Sequence, residues 1–258
     1  MSGVLMLQET AFFAKEIPTA RRSHQNPLMR TAKVILLLII LFSTGCMSSQ
    51  GFNRTAMGER LHATPTSQES QPLSPQNARP SPPFRLGVFF AEHNGPNTAS
   101  IRKVEWLSVD RDHLLRELTP LQDERLLADT FVLRDVTVRS DDIKGLRLVG
   151  ARFGVDLVVI IDGIAAIDRY NNRFAWLYPT LIGAYLLPGT EIDALVIATG
   201  SLWAVHSDWH APMQTVEGQS KVKGSAAFVE EATALQEAKQ AAIQALGQRI
   251  AEQLQHLK

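Results

Sequence analysis

The sequence predicts an α/β domain on a mixed sheet, in the order βαβαβ, then ββ, then α. Three observations predict it. The run VDLVVIIDGIAA (155–166) is apolar on both faces, which marks a strand covered from both sides. Strand-like and helix-like segments alternate from 84 to 166, as in layered α/β folds. A long amphipathic helix, 225–258, closes the chain, with Leu235, Ala242, Ile243, Leu246, Ile250, Leu254 and Leu257 on one stripe.

Each element follows from local pattern. RLGVFFAE (85–92) is rich in β-formers and ends at the turn cluster His93–Asn97, so it reads as a first strand. Residues 101–128 are polar, with leucines at helical spacing. Thr119-Pro120-Leu121-Gln122 offers a cap, a proline at a first helical position and a capping-box glutamine, which predicts two short helices here. FVLRDVTVRS (131–140) alternates at Val136 and Val138 and reads as the second strand. Ser140-Asp141-Asp142 caps a helix that shows Ile143, Leu146, Val149 and Phe153 on one side and stops at Gly154. After the buried strand, DALVIATGSLWAVH (193–206) and WHAPMQTVEG (209–218) form a long hairpin. Pro212 places its second arm at a sheet edge or bulge.

The only cysteine, Cys46, stands outside all of these elements. Before it runs MRTAKVILLLIILFSTG: Arg30 and Lys33, an unbroken apolar run from Val34 to Phe42, then Ser43, Thr44 and Gly45. A basic start, an apolar centre and a small-residue exit describe a secretory signal peptide. The run is well short of the roughly 18–20 residues of a membrane span. Met29 is a natural start, so 1–28 reads as an over-called beginning or an extended basic region. The signal is 29–45, cleaved between Gly45 and Cys46.

Residues 46–83 are dominated by Ser, Gln, Asn, Thr and Pro and predict a disordered tether, with a mean reach of roughly 30–35 Å. Residues 84–258 are a length that suits a single core. From Cys46 onward the chain carries 21 Lys or Arg against 24 Asp or Glu, a balance that argues against nucleic acid and against a polybasic membrane contact.

The Gly45-Cys46 block resembles the lipobox of bacterial lipoproteins, which implies that Cys46 is acylated and becomes the new N-terminus. Met47, rather than an aspartate, then implies the outer membrane, facing the periplasm. Three further stretches, GVDLVVIIDGIAAIDRYNN (154–172), LYPTLIGAYLLPGTEIDALV (177–196) and SKVKGSAA (220–227), resemble the rhombotarget lipoproteins, bacterial lipoproteins encoded near the protease rhombosortase. The resemblance covers the lipobox and most of 84–258. It is weaker around 198–214, where Trp203, His206 and Trp209 depart from the pattern. The strand order is more distantly similar to curli-secretion-channel-like and TolB-N-terminal-like envelope lipoproteins. What these resemblances imply is an address and a fold; no biochemical role comes with them.

No catalytic constellation is evident. Ser201 in TGSLW lacks the G-x-S-x-G setting of a nucleophile elbow. Asp156 and Asp162 flank the apolar run and read as markers of strand ends. His206, Asp208 and His210 crowd one hairpin turn, but zinc needs three or four convergent ligands, so no metal and no cofactor is expected. Phe174–Leu187, FAWLYPTLIGAYLL, has no charge. It reads either as ordinary core or as an interface, to an oligomer or to lipid, with Phe174, Trp176, Tyr178, Leu181 and Tyr185 as candidate contacts. The expectation is a membrane-anchored, non-enzymatic binding or scaffold protein of the envelope, with an envelope protein or a second copy as partner. The alternatives are a hydrolase with a site near Asp162 or the 206–210 hairpin, and an oligomeric transport or secretion component.

Overall fold

A computed structural model of the chain describes residues 48–62, 80–92, 97–98, 100–133 and 142–258. The expectations at Gly45, Cys46, Val136 and Val138 fall outside these residues. The elements are α1 (Arg54–His62), β1 (Phe84–Phe90), β2 (Arg102–Lys103), α2 (Ser108–Asp123), β3 (Leu127–Val132), α3 (Ile143–Phe153), β4 (Leu157–Asn171), a 3₁₀ turn (Arg173–Leu177), α4 (Leu181–Leu186), β5 (Thr190–Ala204), β6 (Gln214–Gly224) and α5 (Glu231–Gln255). They form an α/β fold with one mixed sheet and a long C-terminal helix, as the sequence pattern predicts.

The sheet order is β3-β1-β4-β5-β6. β1 pairs in parallel with both β3 and β4. β4 and β5 are antiparallel along their whole length, from Leu157↔Ala204 to Asn171↔Thr190. β6 follows antiparallel on the edge, with Pro212 just before it. β2 continues the β1 side of β4, pairing Arg102 with Ala165.

Side-chain alternation along β4 sorts the helices into layers. Leu157, Val159 and Ile161 face α2 and α5, where they meet Leu114, Leu118, Leu246 and Ile250. Val158 and Ile160 face α3, against Leu146 and Val149. Ile164 and Ala166 face α1. α5 lies close against the sheet because β6 has a glycine under it: a Cβ on Gly218 would come within 2.1 Å of the Ala238 carbonyl oxygen. A buried ion pair joins α2 to α5, Lys239 Nζ donating to Asp110 Oδ2 at 2.6 Å. Both partners make further bonds: Asp110 accepts the Leu107 N–H and the Gln236 amide, and Lys239 also donates to the Glu105 carbonyl. An apposed pair is tolerated in a core only when it is satisfied in this way.

The fold corrects five sequence expectations. The tether reading of 46–83 fails over 54–62, where α1 docks with Met57 and Leu61 buried against Ile164, Ala166, Leu195 and Ile197. Burying two such side chains contributes roughly 1.5–3 kcal/mol each toward holding the helix there. Residues 108–123 make one helix and not two, with Pro120 inside its last turn. There the ring removes one late hydrogen bond while Leu121 still packs in the core. The strand that follows α2 is Leu127–Val132, so it begins four residues before the predicted start at 131; residues 134–140 lie outside the described residues. Phe153 is half exposed, so the α3 face rests on Leu146 and Val149. Asp162 sits in mid-strand because β4 runs on to Asn171.

Candidate functional site

The far end of the β4–β5 hairpin gathers the chain's most unusual residues. Its register places Tyr170 beside Glu191 and Asp168 beside Asp193, and the next strand adds Lys223 opposite Glu191 and Lys221 opposite Asp193. These side chains share one face of the sheet. Lys221 Nζ lies 2.8 Å from Glu191 Oε2, and Lys223 Nζ lies 3.1 Å from Glu191 Oε1. Tyr170 Oη is 3.0 Å from both the Glu191 and the Asp193 carboxylates and accepts from Lys221. With one proton, the phenol donates to only one carboxylate at a time. Asp193 Oδ1 faces Lys221 at 3.6 Å, beyond hydrogen-bond range.

The electrostatics follow from this crowding. The Lys221 ammonium holds Glu191 down to about 2, with Asn172 and Lys223 adding to the effect and burial opposing it. Glu191, and then Tyr170, push the Lys221 ammonium up. Tyr170 is pushed up, first by burial and then by the two carboxylates, against Lys221. Two carboxylates facing two ammonium groups form a neutral brace.

Asn172 couples this brace to the hairpin tip. Its amide donates to the Pro188 carbonyl at 2.9 Å and to Glu191 at 3.1 Å, while its oxygen accepts the Phe174 N–H. Thr180 caps α4 through Gly183 N–H, and Tyr178 Oη meets Thr190 Oγ1 at 2.8 Å. A Cβ on Gly189 would lie 2.7 Å from Tyr178 Oη, so the tip is folded tightly on itself. The core reading of 174–187 is overturned. Ala175 is buried, but Trp176 is 53% exposed, Ile182 72% and Leu186 74%; Phe174 and Tyr185 are exposed as well. From the next loop Phe228, 70% exposed, meets Tyr185 edge to face at 5.9 Å. Tyr178 points inward to Thr190 and is not part of this surface. Leu181 opens α4.

Asp168 holds the N-terminal segment against the same end. Its Oδ2 accepts the Ser49 hydroxyl at 2.7 Å and the N–H groups of Gln50 and Gly51 at 2.8 and 3.0 Å. A shallow cavity of about 420 Å³ opens beside it, between Gly51, Phe52, Met57, Ile101 and Ile167.

The other sequence candidates do not assemble. His206 is exposed, Asp208 pairs with Arg147 at 3.0 Å, and His210 stacks on Trp203 with ring centroids 4.7 Å apart. No group of three metal-ligating side chains occurs among the described residues. Asp162 is buried and takes the Gly163 N–H on Oδ1. Ser201 accepts the Trp203 indole N–H. No helix of the described residues is long and apolar enough to cross a membrane.

Sequence reasoning missed Asp168, the Tyr170–Glu191–Lys221 network, Ile182, Leu186 and Phe228. The network did leave a signal: acids at 191 and 193 and lysines at 221 and 223, each two apart on adjoining strands, share one face.

No family model matches the chain, and neither does any curated protein. Among solved structures, the chain is similar to a proposed neuraminyllactose-binding hemagglutinin homolog from Helicobacter pylori. That match has 14% identity and a TM-score of 0.32, and it spans 72% of this chain and 89% of the other.

Proposed function

We propose that the chain is a lipid-anchored envelope protein, acylated on Cys46, whose α/β domain acts as a binding or scaffold module and not as an enzyme. The observation that carries this reading is the order of residues 29–46: basic start, apolar run, small exit, cysteine. The resemblance to rhombotarget lipoproteins points the same way. Met47 favours the outer membrane, facing the periplasm. The fold supports a module held close to its anchor, because Ser49 is already bonded to Asp168. From Cys46 to Ser49 the chain spans at most ~10 Å, at about 3.3–3.6 Å per residue. The 30 Å float of a free tether is replaced by attachment at the domain surface.

Two acyl chains hold a protein to a bilayer essentially permanently, at roughly 0.8 kcal/mol per buried CH₂. The test is metabolic labelling with radioactive palmitate. The parent chain is expected to take up label and Cys46→Ala to take up none, remaining at its precursor size. Equal label in both proteins contradicts the reading.

A further inference from the structure

We infer that the β4–β5 hairpin tip is a lipid-docking surface, with Trp176, Ile182, Leu186 and Phe228 entering the headgroup region beside the anchor. The inference rests on the lipoprotein reading and deepens it, by fixing how the domain stands on the bilayer.

Four observations carry it. The first is exposure. Five large apolar side chains of the tip, and Phe228 beside them, face solvent together, whereas elsewhere the exposed ones, such as Val109, Leu148 and Phe153, lie on separate helices. The second is composition. From Arg173 to Gly189 the only charge is Arg173 itself, a cation suited to an anionic lipid surface, and Trp176 and Tyr185 are the aromatic types that settle at the membrane interface. The third is shape. Two short helical turns, braced by Asn172 and Thr180, present a preformed apolar knob, so docking costs little ordering. Neither turn is long enough to span, and interfacial elements sink only ~5–10 Å.

The fourth decides between lipid and protein. Asp168, which holds Ser49, lies three residues before Asn171, where β4 gives way to the tip. That is ~10 Å along a strand. α1 covers β4 at Ile164 and Ala166, so the chain running back from Met57 to Ser49 travels toward the tip. Cys46, within ~10 Å of Ser49, therefore places its acyl chains at the tip's own end of the sheet. An apolar knob there meets bilayer first. A protein partner reaching the domain from the periplasm meets the opposite end, around Trp203 and Trp209.

The test uses the mature acylated chain in vesicles of phosphatidylethanolamine and phosphatidylglycerol carrying lipid brominated along the acyl chain. Trp106 is buried, and Trp203 and Trp209 sit at the other end of a 15-residue strand, roughly 40 Å away. Quenching of tryptophan emission is expected in the parent and should vanish in Trp176→Phe. The same quench in both proteins, or none in the parent, overturns the inference. As a second measure, the unacylated Cys46→Ser chain should bind these vesicles weakly. Adding Ile182→Ser and Leu186→Ser should lower its partition at least ~tenfold with the melting midpoint unchanged. Unchanged partition overturns the inference, as does a parent that sediments as a dimer which these substitutions dissociate. Failure of Cys46 to carry acyl chains in cells removes the lipoprotein reading and this inference together. Acylation with a silent Trp176 removes the inference alone.

Discussion

Glu191 and Lys221 show how much one crowded corner does for this molecule. Glu191 is buried, accepts from two lysines and one amide, and touches a phenol. Its carboxyl is lowered from an ordinary value near 4.5 to about 2. A carboxylate lowered on folding contributes stability that is fully present above about 4.5 and is lost as pH falls toward about 2. The gap in melting midpoint between the parent and Glu191→Gln should therefore be largest above that window, narrow through it and close near its lower end. A gap independent of pH would contradict the geometry. The corner was only half legible in the sequence. Acids and lysines two apart announce a shared face, but which strands adjoin depends on hairpin register. That register hung on where β4 ends, and Ile167–Asn171 carries Asp168 and Arg169 and no clean alternation.

At the scale of elements, α1 and the hairpin tip both departed from what composition implied, in opposite directions. RTAMGERLH is polar and contains Gly58, so its composition reads as unstructured, yet Met57 and Leu61 stand four apart and both reach the sheet. These two anchors, the acceptor at Asp168 and the Arg54–Glu217 pair tie it to the sheet. Met57→Ala is expected to lower the unfolding free energy by ~2–5 kcal/mol in a denaturant melt, where the same change in a free tether costs nothing. Asp168→Ala should speed amide exchange at Gln50 and Gly51 while leaving exchange in β5 untouched; slow exchange retained at both amides would show that Asp168 is not their anchor. The tip was found in the sequence as an uncharged run, but its exposure was not. Apolar residues ordinarily report burial, and only the turn at Pro179, the caps at Asn172 and Thr180 and the tight fit at Gly189 turn them outward. Conversely, the existence of the buried β4, the Asp142-to-Gly154 limits of α3 and the α5 stripe were legible, because a short apolar run rich in β-branched residues, a cap with a glycine stop and a 3.6 period are strong local signals.

For the whole molecule, the consequence is a domain with two unlike ends. One end carries the Ser49–Asp168 attachment, the neutral brace and the apolar tip. The other carries the β5–β6 turn, with Arg147 paired to Asp208 and His210 stacked on Trp203. The α5 and α2 layer that covers the sheet between the ends is tied by the buried Asp110–Lys239 pair. On the proposed lipid anchoring, a body fixed at one end would hold its opposite end at a set height above a membrane, as a scaffold requires. Everything in that account starts from Cys46, and the most direct measurement is the intact mass of the protein extracted from the membranes of its own cells. The account predicts a chain that begins at Cys46 and is heavier than residues 46–258 by a diacylglyceryl group, with or without a further acyl chain. A mature chain that retains residues before Cys46, or that begins there with a free thiol, would contradict it.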